Sequence, residues 1–159
     1  MENITEAELN ERVAILRRFR TLLEAQRQKF QEYLTVLEKQ EDCIEADNTE
    51  ALAAHAELEQ QIVKGISSLQ KVIVPMAEMY ASSNSGIRES DRKSVESIQN
   101  DLNRLQNKVL EQNEKNRELL RSHLVSLRQQ IDSFRNPYRN VSSVYAKKVA
   151  QGKLVTVEV

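Results

Sequence analysis

The sequence predicts an all-α protein: an elongated antiparallel three-helix bundle or coiled coil followed by a loosely ordered carboxyl-terminal tail. Three observations predict it. Only three Gly and two Pro occur in 159 residues, while charged residues make up 30% and aromatics 4%, the profile of long helices meeting along narrow seams. Apolar residues recur every third or fourth position over three separate stretches, as on one face of a helix. The breaks between those stretches are short and rich in turn formers.

The first helix is expected over residues 6–46. Thr5 with Glu8 forms a capping box, and Ile4 before it can staple onto Leu9. Leu16, Phe30, Leu37 and Ile44, together with Leu23, recur every seven residues, the repeat that keeps a seam against a partner helix. At 1.5 Å per residue such a helix is about 60 Å long, and it is unstable without a partner.

A second helix over 48–80 supplies that partner. Asp47 with Glu50 reads as another capping box, and the stripe Leu52, His55, Leu58, Ile62, Ile66, Leu69, Ile73, Met76, Tyr80 follows. So short a junction folds it back antiparallel on the first. Pro75 predicts a kink or an early end, and the β-branched run 72–74 before it makes this the soft end.

The loop Ser82-Ser-Asn-Ser-Gly86 leads to a third helix over 91–136, capped by Ser90 or Asp91. Its stripe runs through Val95, Ile98, Leu102, Leu105 and Val109, then through Leu120, Leu124, Leu127, Ile131 and Phe134, until Asn136-Pro137 ends it. Between the two runs, Gln112, Asn113 and Asn116 stand where core residues belong. Amides on a seam are register devices, placed there at a cost in stability, and the seam partner is expected to change at this point. Residues 1–136 thus form a helical bundle, and 137–159 a flexible tail with at most one short helix over 141–150.

Net charge is −1, with Lys and Arg against Asp and Glu at 9 to 15 over residues 1–80, 10 to 8 over 81–136, and 4 to 1 over 137–159. So weak a basic bias argues against nucleic acid. A single cysteine, Cys43, rules out an internal disulfide and points to a reducing compartment. The opening "MENITEAELNE" lacks the basic-then-apolar pattern of a signal peptide, and the longest apolar run, 72–77, falls far short of the roughly 20 residues a membrane span needs. A cytoplasmic location is expected.

Catalytic chemistry is not expected. No G-x-S-x-G, glycine-rich phosphate loop or H-E-x-x-H occurs. His55 and His123 lie on helix stripes, without a carboxylate or second His at metal-ligand spacing. Acidic neighbours surround Cys43 with like charge, which argues against a redox role. Neither cofactor nor metal is expected.

The long first helix, the tight turn Ala46-Asp47 followed by Glu50-Ala51-Leu52, the second amphipathic helix, and the N-x-x-N-x-x-L-L of Asn113, Asn116, Leu119 and Leu120 together resemble the FlgN-type flagellar export chaperones. Tyr145 and Gly152 match the Tyr and later Gly of that family's tail. The resemblance implies a small all-helical cytoplasmic chaperone. Such a chaperone binds hook-associated proteins of the hook-filament junction, keeps them unpolymerised, and delivers them to the type III export apparatus. It also implies cargo binding by the carboxyl-terminal region and export-gate docking by a tail tyrosine, either Tyr138 or Tyr145. The ending "LVTVEV" has no counterpart in the family pattern.

On physical grounds, Leu120, Leu124, Leu127, Ile131 and Phe134, with Val141 and Val144 of the tail, could form an apolar surface for a partner's amphipathic helix. The same helical residues could instead pack on the first two helices. Three readings stand open: an export chaperone, a scaffolding coiled coil or homo-oligomer, and a chaperone of another secretion system.

Overall fold

The computed structural model describes residues 3–134, the side chain of Phe134 excepted. They form three α-helices and no strand: α1 Glu6–Glu45, α2 Thr49–Ser82 and α3 Glu89–Phe134. The expected tail over 137–159 lies outside the described residues. The chain divides at Arg117, partway along α3, and the packing described next belongs to the unit Met1–Arg117.

Local chemistry explains each boundary. Thr5 caps α1 with a reciprocal capping box: its Oγ1 accepts from the Glu8 N–H at 3.3 Å, and its own N–H donates to Glu8 Oε2 at 3.1 Å. Ile4 lies against Gly86 of the loop between α2 and α3, and Leu9 stays exposed. At the other end the chain reverses through Asp47, whose φ is +54°. The Asp47 N–H donates to the Ile44 carbonyl and the Asn48 N–H to the Cys43 carbonyl, a Schellman closure with Asp in the position that Gly usually takes. Asp47 therefore does not cap α2. Asn48 does, through Oδ1 accepting from the Ala51 N–H at 3.1 Å.

Two further expectations need correcting. α2 does not end at Pro75 but continues to Ser82. Pro75 and Lys71 are both exposed, so water can satisfy the Lys71 carbonyl that the missing N–H leaves free. α3 begins at Glu89, ahead of Ser90 and Asp91. Glu89 and Asp91 instead place negative charge in its first turn, where the helix dipole favours it.

α2 runs antiparallel to α1. Gln26 pairs with Ile66 and Gln70, whereas Tyr33 and Gln40 both reach back to Glu59. α3 returns parallel to α1, with Arg27 paired to Asp101 at 3.2 Å and Asn116 to the Leu37 carbonyl. One apolar cluster joins the three helices: Leu16, Phe19 and Leu23 of α1, Ile73 and Met76 of α2, Val95, Ile98 and Leu102 of α3, and Ile87 from the loop. Tyr80 closes over Phe19 with ring centroids 5.0 Å apart. The end expected to be soft is thus where the largest core sits, because burial between three helices outweighs the weak helix propensity of 72–74. Arg12 clamps the loop above it, donating to the Ser85 carbonyl and hydroxyl at 2.5 and 2.6 Å.

Candidate functional site

Toward the α1–α2 junction the seam turns polar. Asn116 is only 5% exposed, and its Nδ2 donates to the Leu37 carbonyl at 2.8 Å. Gln112, one turn earlier, donates to Asn116 Oδ1 at 2.9 Å and to Glu41 Oε2 at 2.6 Å. Lys115 completes the group with an ion pair to Glu41 at 2.5 Å. Hydrogen bonds from Lys115 and then from Gln112 hold the Glu41 carboxyl below its ordinary range against a smaller effect of burial, and Glu41 in turn raises the Lys115 ammonium. Asn113 is half-buried and has no hydrogen-bond partner among the described residues.

The heptad of Val95, Leu102 and Val109 continues onto Asn116 in space as well as in sequence, still facing α1. An Asn there can satisfy itself only where a carbonyl lies opposite, and Leu37 provides one. A second polar group links α1 to α2. Tyr33 donates to Glu59 Oε1 at 3.0 Å, and Gln40 donates to Glu59 Oε2 at 2.7 Å. Burial, then the Glu59 charge and hydrogen bond, push the Tyr33 hydroxyl pKa upward, with Arg117 opposing.

These α1 and α2 groups were not singled out in the sequence, although a signal existed. Gln26 lies three residues after Leu23 and four before Phe30, and Gln40 three after Leu37 and four before Ile44. Both occupy α1 stripe positions as Asn116 does on α3, and both are buried. Gln26 donates to the Ile66 carbonyl at 3.2 Å, while its Oε1 accepts nothing among the described residues.

Beyond Arg117, α3 continues with a different burial pattern. Leu119 and Leu120 are half-buried, whereas Leu124 is 38%, Leu127 54% and Ile131 46% exposed. Leu120, Leu124, Leu127 and Ile131 share one helix face through their spacings of four, three and four. Glu118 and Arg121 pair at 3.3 Å, and Arg128 has no charged partner among the described residues. Phe134 belongs to the same helix, but its side chain, like Tyr138, Val141, Val144, Tyr145 and Gly152, lies outside the described residues.

Among the described residues no three His, Cys, Asp or Glu side chains gather as metal ligands would. Cys43 is a half-buried free thiol. None of the described helices is long and apolar enough to cross a membrane. The feature that stands out among the described residues is the partly exposed apolar face of Leu124, Leu127 and Ile131 on α3.

Residues 9–151 match the protein family described as "FlgN protein". The chain is also 40% identical over 132 residues to an uncharacterized protein of Treponema pallidum (strain Nichols), covering 83% of this chain and 82% of that relative. No solved structure matches it.

Proposed function

The chain belongs to the FlgN family of flagellar export chaperones, and from that premise we propose that it acts in the cytoplasm on hook-associated proteins of the hook-filament junction. It holds them unassembled and delivers them to the type III export apparatus. The observation that carries this reading is the exposed face of Leu124, Leu127 and Ile131 on a helix whose earlier part is buried at the equivalent positions. An amphipathic helix from a cargo protein fits such a face through anchors at i, i+3, i+4 and i+7. Arg128 beside the face favours a cargo helix carrying carboxylates along one edge.

In this reading the chain works in two parts, a scaffold over 1–136 and a tail over 137–159. Val141 and Val144 extend the cargo surface, and Tyr138 or Tyr145 docks on the export gate. Leu119 and Leu120 lead from the polar seam into the cargo face.

Pull-down of candidate junction proteins by the full chain and by a form truncated at Asn136 tests the assignment. Capture by the full chain and its loss on truncation support it. Equal capture by both forms would sink the role of the tail, and no capture by either would sink the cargo assignment. A scaffolding coiled coil predicts a different result: a tight dimer or larger assembly in light scattering, formed without any junction protein.

A further inference from the structure

A second surface lies on the outer side of the α1–α2 pair and includes no residue of α3. On α2, Leu58, Gly65, Val72 and Met79 follow one another at intervals of seven. Leu58, Val72 and Met79 are 44 to 47% exposed, so the core uses a neighbouring stripe and leaves this one open. The Lys29 side chain crosses α2 at Gly65, its Cε 3.5 Å from where a Cβ would stand. From that level the antiparallel register places Val36 beside Leu58, Leu22 beside Val72, and Ile15 beside Met79. Ile15 and Leu22 are only partly buried against the core. At the Val36 end the groove opens into a cleft of about 470 Å³ also lined by Leu58 and Ile62.

Seams of this kind between two long helices, apolar every seventh residue and about 30 Å long from Leu58 to Met79 at 1.5 Å per residue, receive a further helix. The rim indicates which kind. Lys64 and Lys71 flank the α2 stripe, exposed and without an ion pair among the described residues, and Arg18 and Lys39 are likewise exposed and unpaired on α1. Opposing them, Glu57 and Glu78 sit near the two ends of the stripe, while Glu32 is already paired with Lys29 at 3.4 Å. The middle of the rim is therefore cationic. A second copy of the chain fits poorly, because two-fold packing about the groove's centre sets Lys64 opposite Lys71 and Glu57 opposite Glu78, like against like.

We propose that the groove along Leu58, Gly65, Val72 and Met79 is a second docking site, for a partner protein's amphipathic helix of about three heptads with acidic flanks. Fluorescence anisotropy with the full chain and a synthetic three-heptad peptide tests this directly. The probe carries Leu at its a and d positions and Glu at the flanking positions; a control peptide carries Lys there instead. The Glu peptide should bind at least about tenfold tighter than the Lys peptide. Lys64→Glu with Lys71→Glu should invert that order, and Val72→Glu should abolish binding without moving the melting temperature, since Val72 is exposed. Leu127→Glu should change nothing, which keeps this result independent of the cargo face proposed above. Equal binding of both peptides, an order indifferent to the charge reversal, or loss of binding on Leu127→Glu would each overturn the proposal. So would a dimer in light scattering that Val72→Glu dissolves, because the occupant would then be a second copy.

Discussion

Residues 89–117 and 118–134 of α3 carry similar apolar spacings with opposite outcomes. In the first stretch Val95, Ile98, Leu102 and Val109 are buried, and the heptad closes on a buried, hydrogen-bonded Asn116. In the second, Leu124, Leu127 and Ile131 keep the helical stripe and stay exposed. Helical periodicity fixes which side chains share a face. Whether that face is buried depends on what the fold provides to cover it. The first stretch has α1, α2 and the loop at Ile87 to cover it, whereas Leu124, Leu127 and Ile131 of the second stay partly exposed.

The sharpest way to break this comparison is to truncate one leucine in each stretch. Leu102→Ala should cost about 2 to 4 kcal/mol in denaturant unfolding, as large-to-small changes in a packed core do. Leu127→Ala should stay within about 0.5 kcal/mol, as exposed sites do. Next in size is Gly86→Ala, which disturbs the loop that roofs the buried stretch. Gly86 has φ +84°, and a Cβ there would come within 2.8 Å of Ile4 Cδ1. A loss of about 1 to 2 kcal/mol is expected in the same measurement.

Substitutions that remove amides from the buried seam should act in the opposite direction. Gln26→Leu eliminates an orphaned buried acceptor and should raise stability by about 1 kcal/mol. Asn116→Leu, alone or with Asn113→Leu, should raise the melting temperature while loosening register, seen as a changed oligomeric state or helix pairing. Unchanged stability and pairing would show that Asn116 sets no register.

The smallest expected effect is the pH dependence of the Glu41–Lys115 pair, since Lys115 is largely exposed and salt screens it. The Glu41 pKa is lowered by folding. Its contribution is therefore present above the ordinary carboxylate range and lost as pH falls through the folded pKa. The Lys115 pKa is raised, so its contribution is present below the ordinary lysine range and lost as pH rises through the folded pKa. Glu41→Gln should flatten both limbs in melting temperature against pH, with the loss greatest in the neutral region, where both contributions are present, and least at the two extremes.

The helical class, the three stripes and the Thr5 cap were legible because periodicity and capping are local properties. The α2 cap was misplaced by one residue because Asp47 and Asn48 are both good capping residues, and only the chain reversal at Asp47 decides between them. The stripe through Met76 and Tyr80 carried α2 past Pro75, but whether Pro75 would end the helix early could not be read, because that depends on that side of α2 facing solvent. Asn116 was visible as an interruption of its heptad, but its partner, the Leu37 carbonyl, is backbone and leaves no mark in a sequence. Gln26 and Gln40 were visible on the same terms and lay hidden among apolar neighbours. On α3 the stripe of Leu124, Leu127 and Ile131 could be read, but its exposure could not.

Binding of a hook-filament junction protein to the full chain and to the double variant Leu124→Glu with Leu127→Glu, measured by titration calorimetry beside a thermal melt, tests the cargo face most directly. An unchanged melting temperature is expected, with affinity weakened by at least about thirtyfold, the loss typical of a disrupted binding anchor. Retained affinity would contradict it. So would a fall in melting temperature as large as that expected for Leu102→Ala, because the face would then belong to the fold.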